Sequence, residues 1–566
     1  MLFTRPKLYI LFFIVAFGCH TGKHLTEYQI TKDIVSDKAM VVTAHPFATQ
    51  VGVDILKSGG NAIDAAIGVQ FALQVCFPVA GNIGGGGFLM YRESNGKVHA
   101  LDFREKAPAA ASKDMYLDAK GNIIEDLSTF GHLAAGVPGS VDGMWEAYQK
   151  FSRLKDWKKL VKPSYEGAKN GILLTPREAS GFNNNAEEFL KANGRPTVYG
   201  SQKWKAGDIL KQTELAETLR LIMENGRDGF YKGKVADLIV AEMKKGKGII
   251  THEDLENYHS KWRDPVLFSY RGYEIASMPP PSSGGIALLQ LLKMTEKIEI
   301  QDNDWHKTPL THYIIEAEKR VYADRSKHLG DADFYPVPIK TLTSDAYIKE
   351  RMSDFNPTKA SYFEDVEAGN AYESDQTTHF TIVDEEGNAV SLTTTLNGGY
   401  GSMVVVEGAG FLLNNEMDDF SSKPGTPNLY GLIGAEANKI EPGKRMLSSM
   451  TPTIISRDGR LKATVGTPGG STIITSVFQT IVNIIDFKMN AYESVAAPRF
   501  HHQWRPEQVY YEDNCFTPET LKSLSIMGHS MERRGPIGRV EAIVVDKNGR
   551  LTGGADPRGE DDAKGY

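Results

Sequence analysis

Cysteine is nearly missing: the 566 residues hold three, Cys19, Cys76 and Cys515. Thiols so few and so far apart exclude a disulfide framework and supply no zinc-ligand spacing. Cys76 ends the apolar run Phe71-Ala72-Leu73-Gln74-Val75-Cys76, the setting of a buried thiol rather than of half a bridge. No long basic run occurs, and a formal charge of −7 with a pI near 6.1 argues against a nucleic-acid partner. The apolar run from Leu8 to Gly18 is eleven residues, too short to cross a bilayer. Gly84-Gly85-Gly86-Gly87 leads into a strand with no Gly-Lys-Ser/Thr after it, which excludes a phosphate loop. The acids of Leu412–Phe420 lack the alternating ligands and closing Glu of a calcium loop. His501-His502 has no companion ligand pattern and reads as packing, and Ser282 and Ser283 lack the Gly-x-Ser-x-Gly setting of a serine nucleophile.

What is present is ordinary globular composition, 41% hydrophobic and 24% charged. Length alone suggests about three or four domains, although a large two-layer enzyme can hold one core over such a span. Arg5, Lys7 and the apolar run make residues 1–18 an export signal. Ala16-Phe17-Gly18-Cys19 resembles the lipobox of a bacterial lipoprotein, with Cys19 the acylated first mature residue; a plain cleavable signal is the alternative. The expected location is the periplasm, or the cell envelope by a lipid anchor.

After a polar linker over roughly 20–38, Met40–Ala44 reads as a strand. Asn61 caps a helix over Ala62–Leu73, with Asp64 completing a capping box, and that helix is apolar on nearly every face. The four glycines before Phe88 suit a substrate passage or a tight crossing between layers. Arg104 ends a strand, where it can pair with Glu105 or a distant carboxylate, or clamp a substrate carboxylate. The middle, about 140–350, is largely helical. Leu215, Leu219 and Ile222 form one stripe before Gly226, and Val235, Leu238, Ile239 and Met243 another before Gly246. Three prolines, Pro279 to Pro281, set an extended approach to a helix starting near Ile286, capped by Ser282 or Ser283. Glu316 to Asp324 is a charged helix, either a solvated face or an ion-pair network. Residues 352–376 have no apolar periodicity and read as an exposed, mobile lead-in. Farther on, Pro424 to Gly434 is a candidate lid with Tyr430 near its tip.

Two β-branched runs, Gln376–Val383 and Ala389–Asn397, flank the turn Asp384-Glu385-Glu386-Gly387-Asn388, the pattern of a β-hairpin. If Val383 pairs with Ala389, the same register sets Thr377 opposite Thr395 on one face. The bland reading is a Thr-rich surface ladder. Farther on, Lys462–Val465 is a strand, Gly466-Thr467-Pro468-Gly469-Gly470-Ser471 follows, and a helix opens at Thr472. Backbone amides at such a start serve as an oxyanion hole, or merely make a tight turn. A threonine nucleophile needs a base, and no His/Asp partner stands out by local sequence. Cleavage before Thr377 would supply one, the new α-amine, whose reference pKa of about 8 suits the role.

The whole chain after the signal resembles the γ-glutamyltransferase (γ-glutamyltranspeptidase) family. The resemblance rests on Gly59–Ala66, Ile83–Phe88, Asp102-Phe103-Arg104-Glu105, Met278–Gly285, Thr377-Thr378-His379-Phe380, Leu412–Phe420, Leu447–Met450 and Gly466–Ser471, in that order. It implies an α+β, N-terminal-nucleophile hydrolase αββα sandwich: two stacked antiparallel sheets between helical layers. It implies self-cleavage at Gln376-Thr377 into a large subunit (19–376) and a small one (377–566) that stay together. It assigns Thr377 as nucleophile, Thr395 as its positioning partner, and the Gly469 and Gly470 amides as oxyanion donors. Arg104, Ser448 and Ser449 would hold a γ-glutamyl α-carboxylate, Asn397, Glu416 and Asp419 its α-ammonium, and Tyr430 would sit on the lid. Some members carry Gln where this chain has Glu416. Glutathione and other γ-glutamyl compounds are the implied donors; water, amino acids or dipeptides are the acceptors, with no metal or organic cofactor. A β-lactam side-chain (glutaryl-cephalosporin type) acylase of the same fold, a poly-γ-glutamate-acting relative and a non-catalytic exported binding protein are the competing expectations.

Overall fold

The computed structural model describes residues 27–362, 377–423, 426, 428–429, 432 and 434–566. The export segment, Cys19, Gln376 and Tyr430 lie outside the described residues. The hairpin forms in the expected register, Val383 opposite Ala389 and Thr378 opposite Thr394. It sits in the middle of a seven-stranded antiparallel sheet, in the order Asp562–Gly565, Met40–Thr43, Thr378–Val383, Ala389–Thr395, Gly86–Arg92, Val98–Asp102, Lys261–Arg263. A second seven-stranded antiparallel sheet runs Asp33–Ser36, Leu551–Ala555, Glu541–Val545, Arg460–Gly466, Thr453–Arg457, Tyr273–Ser277, Val266–Tyr270. Both sheets interleave strands from before and after Thr377, so the expected two pieces are joined by backbone ladders rather than by surface contacts.

Alternation along the strands divides the core. Val41, Phe380, Ile382, Val390 and Leu392 pack with the helices Pro46–Lys57 and Ala62–Cys76 on the outside of the hairpin sheet. Met40, Val42, Phe88, Met90, Ala463 and Val465 pack between the sheets. The helices Gly284–Thr295 and Thr472–Ile485 cover the far side of the second sheet. The result is the αββα sandwich. The Ala62–Cys76 helix is buried at every residue, and its Asn61–Asp64 capping box is formed as expected. Among the described residues no helix is long and apolar enough to cross a membrane.

Two expectations need correction, and two are narrowed to one of their alternatives. The polar linker contributes an edge strand, Asp33–Ser36, bound to Leu551–Ala555 by a backbone ladder, with Ile34 its one side chain packed on the core between the sheets. The helix after the prolines begins at Gly284, and of the two candidate caps it is the Ser282 hydroxyl that accepts the Gly284 amide, at 3.0 Å; Ser283 makes no side-chain cap, and its hydroxyl donates to the Ser448 carbonyl at 2.7 Å. The charged helix Thr308–His328 is not solvated: Glu316, Glu318, Lys319, Arg320 and Asp324 are all buried, with Glu316 paired to Lys319 and Arg320. The described start of the 352–376 lead-in is docked rather than free, since Ser361 binds Glu316 through both its amide (3.1 Å) and its hydroxyl (2.5 Å).

The two sheets approach closely where His379 faces Gly466: a Cβ added at Gly466 would lie 2.1 Å from the imidazole Cε1. Gly466→Ala should therefore destabilise the protein by about 1–3 kcal/mol through overpacking. Adding His379→Ala should recover much of that loss in chemical denaturation; additive penalties in the double variant would refute the contact as the cause.

Candidate active site

Thr377 lies one residue before the strand Thr378–Val383 and carries the hairpin register on: its Oγ1 is 3.3 Å from Thr395 Oγ1. Thr377 is buried, 7% exposed, so the surface-ladder reading fails. Thr395 is fixed from two sides. Its Oγ1 accepts from the Asn397 amide at 2.8 Å, and its carbonyl accepts from Asn82 Nδ2 at 2.9 Å. Asn397 holds a left-handed φ of 74°, which Asn tolerates better than most residues, and donates through Nδ2 to the Asn415 carbonyl at 3.0 Å. The four glycines serve the crossing rather than a passage, because a Cβ at Gly85 would lie 2.1 Å from the Thr395 carbonyl oxygen.

Gly469 and Gly470 follow the strand Arg460–Gly466 and take φ values of 141° and 53°, open to glycine. The Gly469 carbonyl accepts from the Thr472 amide at 2.9 Å and from Thr472 Oγ1 at 2.8 Å, which fixes the turn. Neither glycine amide donates to an acceptor among the described residues, and Gly470 lines the same cavity as Thr377. Two free amides beside a hydroxyl are the donors an oxyanion requires.

The opposite wall of the cavity carries the charge. Arg104, just beyond the strand Val98–Asp102, is 1% exposed and hydrogen-bonds Glu416 and Asp419 through its two terminal nitrogens. Its Nε and Nη2 also donate to the carbonyls of Met446 (3.3 Å) and Leu447 (3.2 Å), and Glu105 lies 3.7 Å away. Glu416 and Asp419 end one 3₁₀ turn, whose three-residue repeat aims both acids the same way. The resemblance gives Arg104 and these acids opposite binding roles; in the structure they pair directly, as the reading of Arg104 with a distant carboxylate expects. One guanidinium thus faces three buried carboxylates. Burial outweighs the pull of Arg104 and raises the pKa of Glu416, Asp419 and Glu105, the last to about 7. Glu416 Oε2 and both Glu105 oxygens lack a hydrogen-bond partner among the described residues. Such a cluster can accept a further cation. Ser448 and Ser449 line the same cavity, 2% and 6% exposed.

The cavity therefore gathers Arg104, Thr377, Thr395, Asn397, Glu416, Asp419, Ser448, Ser449 and Gly470, with Gly469 adjoining. Of the expected lid, Tyr430 lies outside the described residues, while Asn428 donates to Asp419 Oδ1 at 2.9 Å. Sequence reasoning missed Arg325, which also lines the cavity; it stands in the charged helix with no local motif to mark it. His501 and His502 are buried in packing, as expected. Among the described residues, His312, Glu316 and His529 lie close enough to share a metal ion. All but one of their ligand atoms are already committed, His529 Nδ1 being the one with no partner among the described residues. His312 Nδ1 meets His529 Nε2 at 2.7 Å, and the Glu316 oxygens accept from Arg320, Ser361 and Lys319. The cluster therefore reads as a buried polar tie.

The Glu105 carboxyl holds its proton more tightly in the folded than in the unfolded chain, where it titrates near pH ~4.3. Its stabilising contribution is full below that pH and is lost as pH rises toward about 7. Glu105→Gln should remove up to about 3 kcal/mol of the stability decline between roughly pH 4 and pH 8. Denaturant unfolding of both proteins across that range checks this; parallel curves would refute it.

Residues 48–566 match the family model described as gamma-glutamyltranspeptidase. The chain is 44% identical over 541 residues to "Glutathione hydrolase proenzyme" of Escherichia coli, covering 95% of this chain and 93% of that protein. It is 47% identical over 532 residues to the protein of the same name from Pseudomonas aeruginosa, covering 92% and 94%. Among solved structures, the cephalosporin acylase from Bacillus halodurans superposes with a TM-score of 0.81 at 26% identity, covering 96% of this chain and 98% of that one. A hairpin that opens on a buried pair of threonine hydroxyls within an αββα sandwich, together with matches over nearly the full length, places this chain in the γ-glutamyltranspeptidase family.

Proposed function

We propose that the chain is a self-processing γ-glutamyltransferase and glutathione hydrolase. The observation that carries this is the shared cavity: the Thr377–Thr395 hydroxyl pair and the free Gly470 amide face a guanidinium among excess carboxylates. That distribution of charge fits a zwitterion beside a scissile amide. Attack by Thr377 Oγ1 on the Gln376 carbonyl, followed by hydrolysis of the resulting ester, frees the Thr377 amine. No histidine, lysine or cysteine is among the described residues lining the cavity, and its two acids are held by Arg104, so the freed amine serves as base.

The donor's α-ammonium displaces Arg104 from Glu416 and Asp419 and also contacts Asn397. Its α-carboxylate takes the released guanidinium and the Ser448 and Ser449 hydroxyls. Thr377 Oγ1 gives up its proton to the amine and attacks the γ-carbonyl, whose oxyanion is met by the Gly469 and Gly470 amides. One such donor is worth about 3–4 kcal/mol of barrier. The tetrahedral intermediate collapses, the amine returns the proton to the leaving nitrogen (cysteinylglycine from glutathione), and water or an amino acid or dipeptide then takes the γ-glutamyl group. Arg5, Lys7 and Leu8–Gly18 support export, and Cys19 a lipid anchor at the envelope. The likeness to a cephalosporin acylase favours a second reading, a glutaryl-amide acylase. That substrate has no ammonium, and the acids around Arg104 would then meet no second cation to release its guanidinium.

Wild type should separate into two polypeptides, the smaller beginning at Thr377, whereas Thr377→Ala should stay one chain. Intact mass and N-terminal sequencing decide this; an uncut wild type would sink the proposal. The processed enzyme should prefer a γ-glutamyl anilide to the glutaryl anilide by about 100-fold or more in kcat/KM, the loss from a buried charge left unpaired. Equal turnover of the two would establish the acylase reading instead.

A further inference from the structure

Arg325 stands in the last turn of the helix Thr308–His328, 4% exposed, and lines the cavity with Thr377 and Arg104. Unlike Arg104 it forms no ion pair among the described residues. Its donors go to two hydroxyls: Nε to Ser283 Oγ at 3.0 Å and Nη2 to Ser449 Oγ at 3.0 Å. A buried guanidinium with neutral partners is costly. Burial, reinforced by Arg104 and opposed by Tyr322 and Asp419, pushes its pKa down to about 10. A fold retains such a charge at a cavity wall when something else there uses it.

The hydroxyls show what that is. A hydroxyl has one proton to give and two lone pairs to receive. Ser449 Oγ receives from Arg325, and Ser448 Oγ receives from the Met450 amide at 3.1 Å. Neither serine proton has an acceptor among the described residues, so both remain for a group in the cavity. Ser283 receives from Arg325 Nε and donates to the Ser448 carbonyl at 2.7 Å, which also accepts the Ser283 amide at 2.8 Å. One planar fork thus holds the Ser449 side chain directly and the Ser448 backbone through Ser283.

We infer that Arg325 is a positioning residue for the donor's α-carboxylate: by donating to Ser449 Oγ it turns that hydroxyl's proton into the cavity, and its unneutralised charge stands behind the bound anion. This rests on the reading of Arg104, Ser448 and Ser449 as the carboxylate site. The anion would then meet two guanidiniums, one in contact and one acting through a hydroxyl, while the α-ammonium keeps the acids to itself.

The test is a double-variant cycle on full-length, processed enzyme with a γ-glutamyl anilide donor, comparing Arg325→Met, Ser449→Ala and the pair. Arg325→Met should raise KM about 10- to 100-fold, the span of a lost charge-assisted hydrogen bond, with kcat changed less than about 3-fold. In the Ser449→Ala background the same substitution should raise KM by less than about 3-fold, because the hydroxyl it orients is gone. Arg325→Lys keeps the charge but cannot fork to both serines, and should show an intermediate KM. If Arg325→Met does not fold or process, the cycle is read with Arg325→Lys alone, which should again cost less without Ser449. An equal KM penalty with and without Ser449, or a penalty confined to kcat, overturns the inference. A Ser449→Ala enzyme with unchanged KM overturns the carboxylate site itself.

Discussion

The pairing of Thr378–Val383 with Ala389–Thr395 is the constraint on which the rest of the molecule depends. Side chains alternate along a strand, so a slip of one residue would turn Thr377 and Thr395 toward the helices and Phe380 and Ile382 toward the second sheet. The register is held from both flanks, by Met40–Thr43 on one side and Gly86–Arg92 on the other, and both flanking strands precede Thr377 in the chain. The hairpin is therefore not a local device that could keep its shape alone; an isolated pair of strands is marginal in water. The nucleophile is placed by the sheet, and the sheet is built from both sides of the expected cut.

Electrostatics sets the second constraint. A buried guanidinium paired with one carboxylate roughly balances its own desolvation, and two further carboxylates go beyond that balance. Glu105 and Glu416 with unpartnered oxygens are a departure from the rule that buried polar groups are satisfied. The departure has meaning if an ammonium takes over the acids that crowd Arg104 and so frees the guanidinium for an anion. Arg325 supplies the complement on the anion side, where hydroxyl protons point into the cavity without acceptors. The site is thus poorly satisfied when empty, and this is the direction that favours selective uptake of a zwitterion over a neutral chain of the same length.

How much of this was legible in the sequence follows from the range of the interactions. The hairpin register, the Asn61 cap and the Gly469-Gly470 turn are short-range, and turn chemistry and alternation mark each of them. The Arg104–Glu416 pair spans 312 positions and leaves no local trace; the family resemblance, not periodicity, gathered those residues. Asp33–Ser36 escaped because an edge strand needs only backbone donors and acceptors. The charged helix containing Arg325 was ambiguous for a different reason. Helical periodicity reports which residues share a face, and a buried face made of ion pairs has the same composition as a solvated one.

The absence of an imidazole at the nucleophile is itself a result of the packing. His379 is two residues from Thr377 and lies on the same face of the strand, the natural position for a base. Its Nδ1 is engaged by Thr393 Oγ1 at 2.9 Å, and its ring is pressed onto Gly466 of the second sheet. Burial with no compensating charge lowers its pKa to about 3, so it would hold a proton too weakly to draw one from a hydroxyl. The acids within reach of the cavity are tied to Arg104, and the arginines remain protonated. A fold that closes its sheets this tightly around His379 leaves the threonine one economical source of a base near neutral pH, its own backbone nitrogen, and that nitrogen becomes basic only when the peptide bond before it is cut.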